Sequence, residues 1–272
     1  MNTRRKLLWA IGILGILLTG RAYATLAIVN GLTHDQSAKP GESYEKVIVI
    51  RNEGDAQAEA KLYQTDYQFF CDGRVSYGDP PGKLPRSNAA WVTLKTKRVT
   101  LAPGEVTNVT VTVKVPDDQT LKGTYWSMVM VEEVGPASRE AKAEEQKIKL
   151  GILQVVRYGI QMITNIGDTG TRMLKFAEVK LVKEDKLRVL QIDMENPGER
   201  VLTPTVTVEA YDEKAALVGK FEAGRLRIYP GTSARFKADM SKLVKGKYKA
   251  LVVADCGGDD VFGATYTLQV EE

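Results

Sequence analysis

Residues 106–115 read Val-Thr-Asn-Val-Thr-Val-Thr-Val-Lys-Val. Apolar and polar side chains alternate with a period of two, and β-branched Val and Thr fill most places. A half-buried β-strand satisfies that period, because successive side chains leave a strand on opposite faces. Pro116 cannot donate to a ladder and ends the run, while Ala102-Pro-Gly-Glu ahead of it is a tight turn.

The same grammar extends outward in both directions. Upstream, strands are expected at Leu26 to Asn30, Tyr44 to Arg51, Ala56 to Tyr67, Trp91 to Leu94 and Arg98 to Leu101. Lys39-Pro-Gly-Glu and Asn52-Glu-Gly-Asp turn the chain, and a long irregular loop from Asp72 to about Asn88 holds Asp79-Pro-Pro-Gly-Lys. Trp91 is expected to plug the space between two sheets. Downstream, Gly123 to Glu132 is apolar on both phases in its middle, as a central strand requires. Gly135 to Lys147 is polar and charged, an expected exposed loop. Past Asn165-Ile-Gly-Asp-Thr-Gly, strands are expected at 175–182, 187–195, 201–211, 217–222, 225–229, 233–239, 247–255 and 261–270. The two halves repeat an order of signals: an Asn turn (Asn52, Asn196), a Pro-Gly turn (Pro103, Pro230), then Gly-x-Tyr (Gly123, Gly246). The expectation is an all-β chain of two tandem immunoglobulin-like β-sandwiches, 25–164 and 165–272.

Residues 1–24 precede them. Arg4, Arg5 and Lys6 form a basic end, Leu7 to Leu18 an apolar run, and Ala22-Tyr-Ala24 a small-residue cleavage site. This is the order of a cleaved signal peptide, and it implies export to the periplasm without membrane insertion of the mature chain. The net charge of +4 resides in this leader, since residues 25–272 carry equal numbers of basic and acidic side chains. No global charge therefore draws nucleic acid or anionic lipid.

Catalytic patterns are missing. There is one histidine, His34, no Gly-x-Ser-x-Gly and no phosphate loop, so no enzyme activity and no cofactor are expected. Asp255-Cys-Gly-Gly-Asp-Asp lacks the spacing of a Ca²⁺ loop and suits a hairpin turn. Cys71 and Cys256 either pair across the two halves in an oxidising compartment or remain two small buried hydrophobes.

The functional argument rests on residues 148–164. One phase, Ile148, Leu150, Ile152, Gln154, Val156, Tyr158, Ile160 and Met162, is apolar in seven of its eight places. Such a strand is either a core strand of the first sandwich or a long apolar edge, and an edge of that kind invites pairing with another polypeptide. The partner-binding candidates are Ile148, Leu150, Ile152, Val156 and Arg157, and self-association through the same edge is a further outcome of that geometry. An envelope structural or adhesive protein that binds through its loops is the alternative.

The run from Gly123 to Thr164 resembles the end of the first domain of periplasmic pilus (fimbrial) chaperones: an apolar strand, the exit Val134-Gly-Pro, a polar loop and a long alternating strand. The resemblance implies that Ile148, Leu150 and Ile152 lend their side chains to an exported, pilin-like subunit with an incomplete fold. It also implies a basic pair in the cleft between domains, on the first strand and late in the long strand. Here the chain departs from the family: Leu26 to Asn30 contains no Arg, and Gly159 stands where the second basic residue is expected.

Overall fold

The computed structural model describes residues 25–78, 81–134 and 156–271. The leader, the polar segment after Gly135, and Ile148, Leu150 and Ile152 lie outside the described residues.

In the first half, β1 (Leu26–Ile28), β3 (Ser43–Asn52), β8 (Val106–Lys114) and β6 (Val92–Leu94) form one sheet in the order β1-β3-β8-β6. The facing sheet contains β2 (Thr33–Ala38), β10 (Arg157–Ile166), β9 (Gly123–Glu133), β4 (Ala58–Phe69) and β5 (Val75–Gly78), in that order, with β7 (Arg98–Leu101) beside β4. The alternation at 106–115 is realised as expected. Val109, Val111 and Val113 point inward and are almost wholly buried, against Ile48, Ile50, Val129 and Ile160. Each such burial contributes about 1.5–3 kcal/mol.

The second half pairs a sheet of β11 (Lys175–Glu184), β12 (Leu187–Glu195) and β15 (Ser233–Asp239) with another ordered β14-β13-β16-β17. In the latter, β13 is Thr205–Tyr211, β14 Leu217–Arg225, β16 Gly246–Asp255 and β17 Val261–Val270. A separate core of Leu190, Ile192, Val206, Val208, Phe236 and Val252 fills this sandwich. The chain is thus all-β, with two immunoglobulin-like sandwiches in tandem. Among the described residues, no helix is long and apolar enough to cross a membrane.

Several local expectations are corrected. Residues 33–38 (Thr-His-Asp-Gln-Ser-Ala) form β2, a strand that their polar composition hides. The expected loop from Asp72 to Asn88 contains β5, and a short 3-10 turn spans Ala89–Trp91. Asp66 organises that loop: its buried carboxylate accepts hydrogen bonds from the Gly82, Lys83 and Leu84 amides and from Ser87 Oγ. The strand expected at 225–229 is replaced by one longer strand, β14, and an isolated Leu202–Ile228 bridge. β10 runs on to Ile166, two residues past the expected end. Both cysteines are free thiols.

Candidate functional site

β10 has unequal neighbours. On one side β9 pairs antiparallel with all of it, from Arg157 opposite Glu132 to Ile166 opposite Gly123. On the other side β2 runs parallel to it but pairs only with Gln161–Ile166. The chain reaches β2 by leaving the opposite sheet after β1. Asn30 fixes that crossover, its amide donating to Val47 O (2.6 Å) while its Oδ1 accepts from Val49 N (3.0 Å). The cover on β10 therefore begins at Leu32, whose carbonyl accepts from Gln161 N at 2.9 Å.

The direction of the uncovered groups follows from the ladder. Glu133 N donates to Val156 O (3.1 Å), so residues 156, 158 and 160 turn their backbone groups toward β9. Residues 157, 159 and 161 turn theirs to the other edge, where Gln161 meets β2. Arg157 and Gly159 therefore present N–H and C=O groups to an edge with no partner strand among the described residues. An unpaired row of this kind is a template for an added strand.

Side chains on the two faces of this edge differ sharply. Tyr158, Ile160 and Met162 point into the first core, and the Tyr158 hydroxyl donates to Leu26 O at 2.7 Å. Arg157 and Gly159 lie on the outer face. There Glu132, 7% exposed, accepts from Lys61 (2.6 Å), Arg157 (2.7 Å) and Tyr63 Oη (2.8 Å). Burial alone would raise the Glu132 pKa, but these donors hold it below the ordinary carboxylate value. The Tyr63 hydroxyl is shifted upward by burial and by the neighbouring carboxylate.

Further along the outer face, β10 meets the second sandwich. Gln161 Oε1 accepts from the Tyr229 hydroxyl (2.6 Å) and from Arg227 (3.1 Å). Tyr229 is fully buried and stacks on Trp126 at 4.6 Å, with Phe69 edge-on at 6.1 Å. Burial raises the Tyr229 pKa well above the tyrosine range, so its hydroxyl remains a donor. The β4–β5 hairpin reaches over as well: Cys71 N donates to Ser233 Oγ (2.9 Å). Asp193 is held by Arg235 through two contacts of 2.6 Å.

Of the site residues expected from sequence, Val156 and Arg157 are described. Val156 is half-buried at the entrance to β10. Arg157 keeps 58% of its side chain exposed and spans to Glu132. Trp126, Gln161, Arg227 and Tyr229 were not anticipated, because nothing in a single strand's pattern says which of its outer-face residues another sandwich will meet. Among the described residues, no group of three or more His, Cys, Asp or Glu side chains is placed to hold a metal ion.

No family model and no curated protein matches this chain. Similar solved structures do exist. The class 5 fimbriae chaperone CfaA is 13% identical, with 91% of this chain and 100% of that one covered and a TM-score of 0.47. Many of the similar structures are chaperones, and one is a PapD-like domain of human CEP192. Others are the CsuC–CsuE chaperone–tip adhesion subunit pre-assembly complex from archaic Csu pili of Acinetobacter baumannii and the E. coli chaperone DraB. The first is 10% identical, with 89% and 98% of the two chains covered and a TM-score of 0.44. The second is 12% identical, with 92% and 98% covered and a TM-score of 0.42.

Proposed function

We propose that this protein is a periplasmic chaperone-like carrier that holds exported, pilin-type subunits by β-strand pairing along β10 and the residues leading into it. The single observation that carries the reading is the half-covered state of β10: paired throughout on its β9 side, and paired with β2 only from Gln161 onward. The main chain at Arg157 and Gly159 would give affinity, and side chains of alternate residues would give fit. On this reading, Ile148, Leu150 and Ile152 continue the phase of Val156 and enter the subunit, and 25–164 and 165–272 act as the two units that flank the cleft.

The test separates main-chain pairing from side-chain contact. The chain is co-expressed in the periplasm with a pilin-type subunit, and the complex is recovered by co-purification. Arg157→Pro removes an outward-facing N–H that no described strand uses, whereas Arg157→Ala removes only the guanidinium. Proline is expected to lower subunit recovery at least about tenfold, from a lost main-chain bond and a distorted edge, with alanine near wild type. Leu150→Asp and Ile152→Asp are expected to lose the subunit at unchanged thermal midpoint. Equal recovery with Arg157→Pro and wild type contradicts the proposal, as does a wild-type chain that carries no subunit.

A further inference from the structure

Beside the open edge, the outer face of the sheet is hollow. A depression of about 340 Å³ is walled by Tyr63, Thr65, Tyr77, Met128 and Met130 and floored at Gly159, with Arg157 at its rim. Gly159 lets the Met128 thioether lie close over β10: a Cβ built there would lie 2.8 Å from Met128 Sδ and 2.9 Å from its Cε. Both methionines already lean into the space a side chain would need. Tyr77 is 59% exposed and Met128 and Met130 are 7–8% exposed, so rings and thioethers line an open recess on a surface sheet.

We infer that this recess is a specificity pocket for one large apolar side chain, preferably aromatic, carried by the extended strand that pairs with β10. The inference rests on the strand-pairing reading above. Three observations choose the occupant. The recess is continuous with the backbone groups of Arg157 and Gly159, so what fills it arrives attached to an extended segment. In a sheet, a residue opposite a glycine can lay its side chain over the bare backbone, an arrangement that aromatic residues exploit. The walls are methionine sulfur and tyrosine rings, which favour an aromatic guest through S–aromatic and ring–ring contact. The charged end of the face is already neutralised, with Glu132 held by Lys61 and Arg157, so the recess offers an incoming carboxylate or ammonium little reward.

The experiment is a position-scanned peptide selection on the full chain. The probes are twelve-residue extended peptides alternating Val and Thr, each with Phe, Leu, Ala or Asp at one position. A photo-crosslinker substituted at Arg157 reports which residue lies opposite. Phe is expected to exceed Ala about tenfold at a single register position, and the preference should fall to near unity with Met128→Ala/Met130→Ala. Gly159→Val, which pushes Met128 into the recess, should reverse the order in favour of Ala. Cross-linking with no side-chain preference, or a preference indifferent to both variants, overturns the pocket and leaves strand pairing standing. Absence of cross-linking to any peptide overturns the pocket together with the strand-pairing reading. A wild-type dimer in sedimentation that Met130→Asp dissolves assigns the recess to a second copy of the chain and likewise overturns the proposal.

Discussion

Asp66 shows how one charge shapes the ground beside the site. Its side chain has no exposed surface, and burial alone would raise its pKa, yet Ser87 Oγ and the amides of Gly82, Leu84 and Lys83 hold the pKa below the usual aspartate value. A folded pKa below the unfolded one gives stability that is present above about pH 4 and lost as pH falls through the depressed value. Wild type should therefore lose urea stability more steeply than Asp66→Asn below pH 4, while at pH 7 the variant should be less stable by about 2 kcal/mol. Parallel stability–pH curves would contradict this. Cys256 obeys the same physics in reverse: burial beside Asp260 and Asp255 pushes its thiol up to about 11, so it is a poor nucleophile at neutral pH. Cys71, which the sequence left open as a disulfide partner, is a free thiol whose amide is held by Ser233 Oγ.

At the scale of elements, the open stretch of β10 is set by how far β2 covers it. Asn30 decides that, by bracketing Val47 and Val49 where the chain crosses between sheets. Asn30→Ala is expected to loosen β2 and speed amide exchange at Gln161 about fivefold, equivalent to the loss of roughly 1 kcal/mol of hydrogen bonding. An unchanged Gln161 rate would show that β2 is held by other means. The same element marks where sequence reading stops. The Val-Thr alternation of β8 and the two-sided apolar run of β9 are legible, because their burial is written in their side chains. β2 is not, because an edge strand of Thr-His-Asp-Gln-Ser-Ala is held mainly by its backbone, parallel to a partner far away in sequence. The long apolar phase of 148–164 raises the question of an open edge, but which part of β10 is covered depends on β2 and is hidden in the sequence as well. Gly159 stands where a second cation is expected; that it lies at the floor of a recess depends on the positions of Met128 and Met130.

At the scale of the whole molecule, the two sandwiches are sewn together by close backbone contact. Thr124 N donates to Glu199 O (2.8 Å), Val201 N to Thr124 Oγ1 (3.0 Å) and Gly123 N to Thr169 Oγ1 (3.1 Å), while Lys122 and Arg86 flank the Glu199 carboxylate. Gly123 has φ +75°, and a Cβ there would sit 2.1 Å from Glu199 O, with backbone that cannot yield as a flexible side chain would. Gly123→Ala should thus cost more than about 2 kcal/mol in urea unfolding and change the small-angle scattering profile through a shift between sandwiches. A variant as stable as wild type, with the same scattering, would refute the contact's role. Such a joint fixes the buried seam in which Trp126 and Tyr229 stack and Gln161 accepts from Tyr229. The most direct measurement is residue-resolved amide exchange at β10, in the free chain and with an exported subunit bound. In the free chain Arg157 and Gly159 should exchange fast while Tyr158 and Ile160, turned to β9, exchange slowly, and subunit binding should slow the first pair to match the second. Slow exchange at Arg157 and Gly159 in the free chain, or rates unaltered in the complex, would contradict the account.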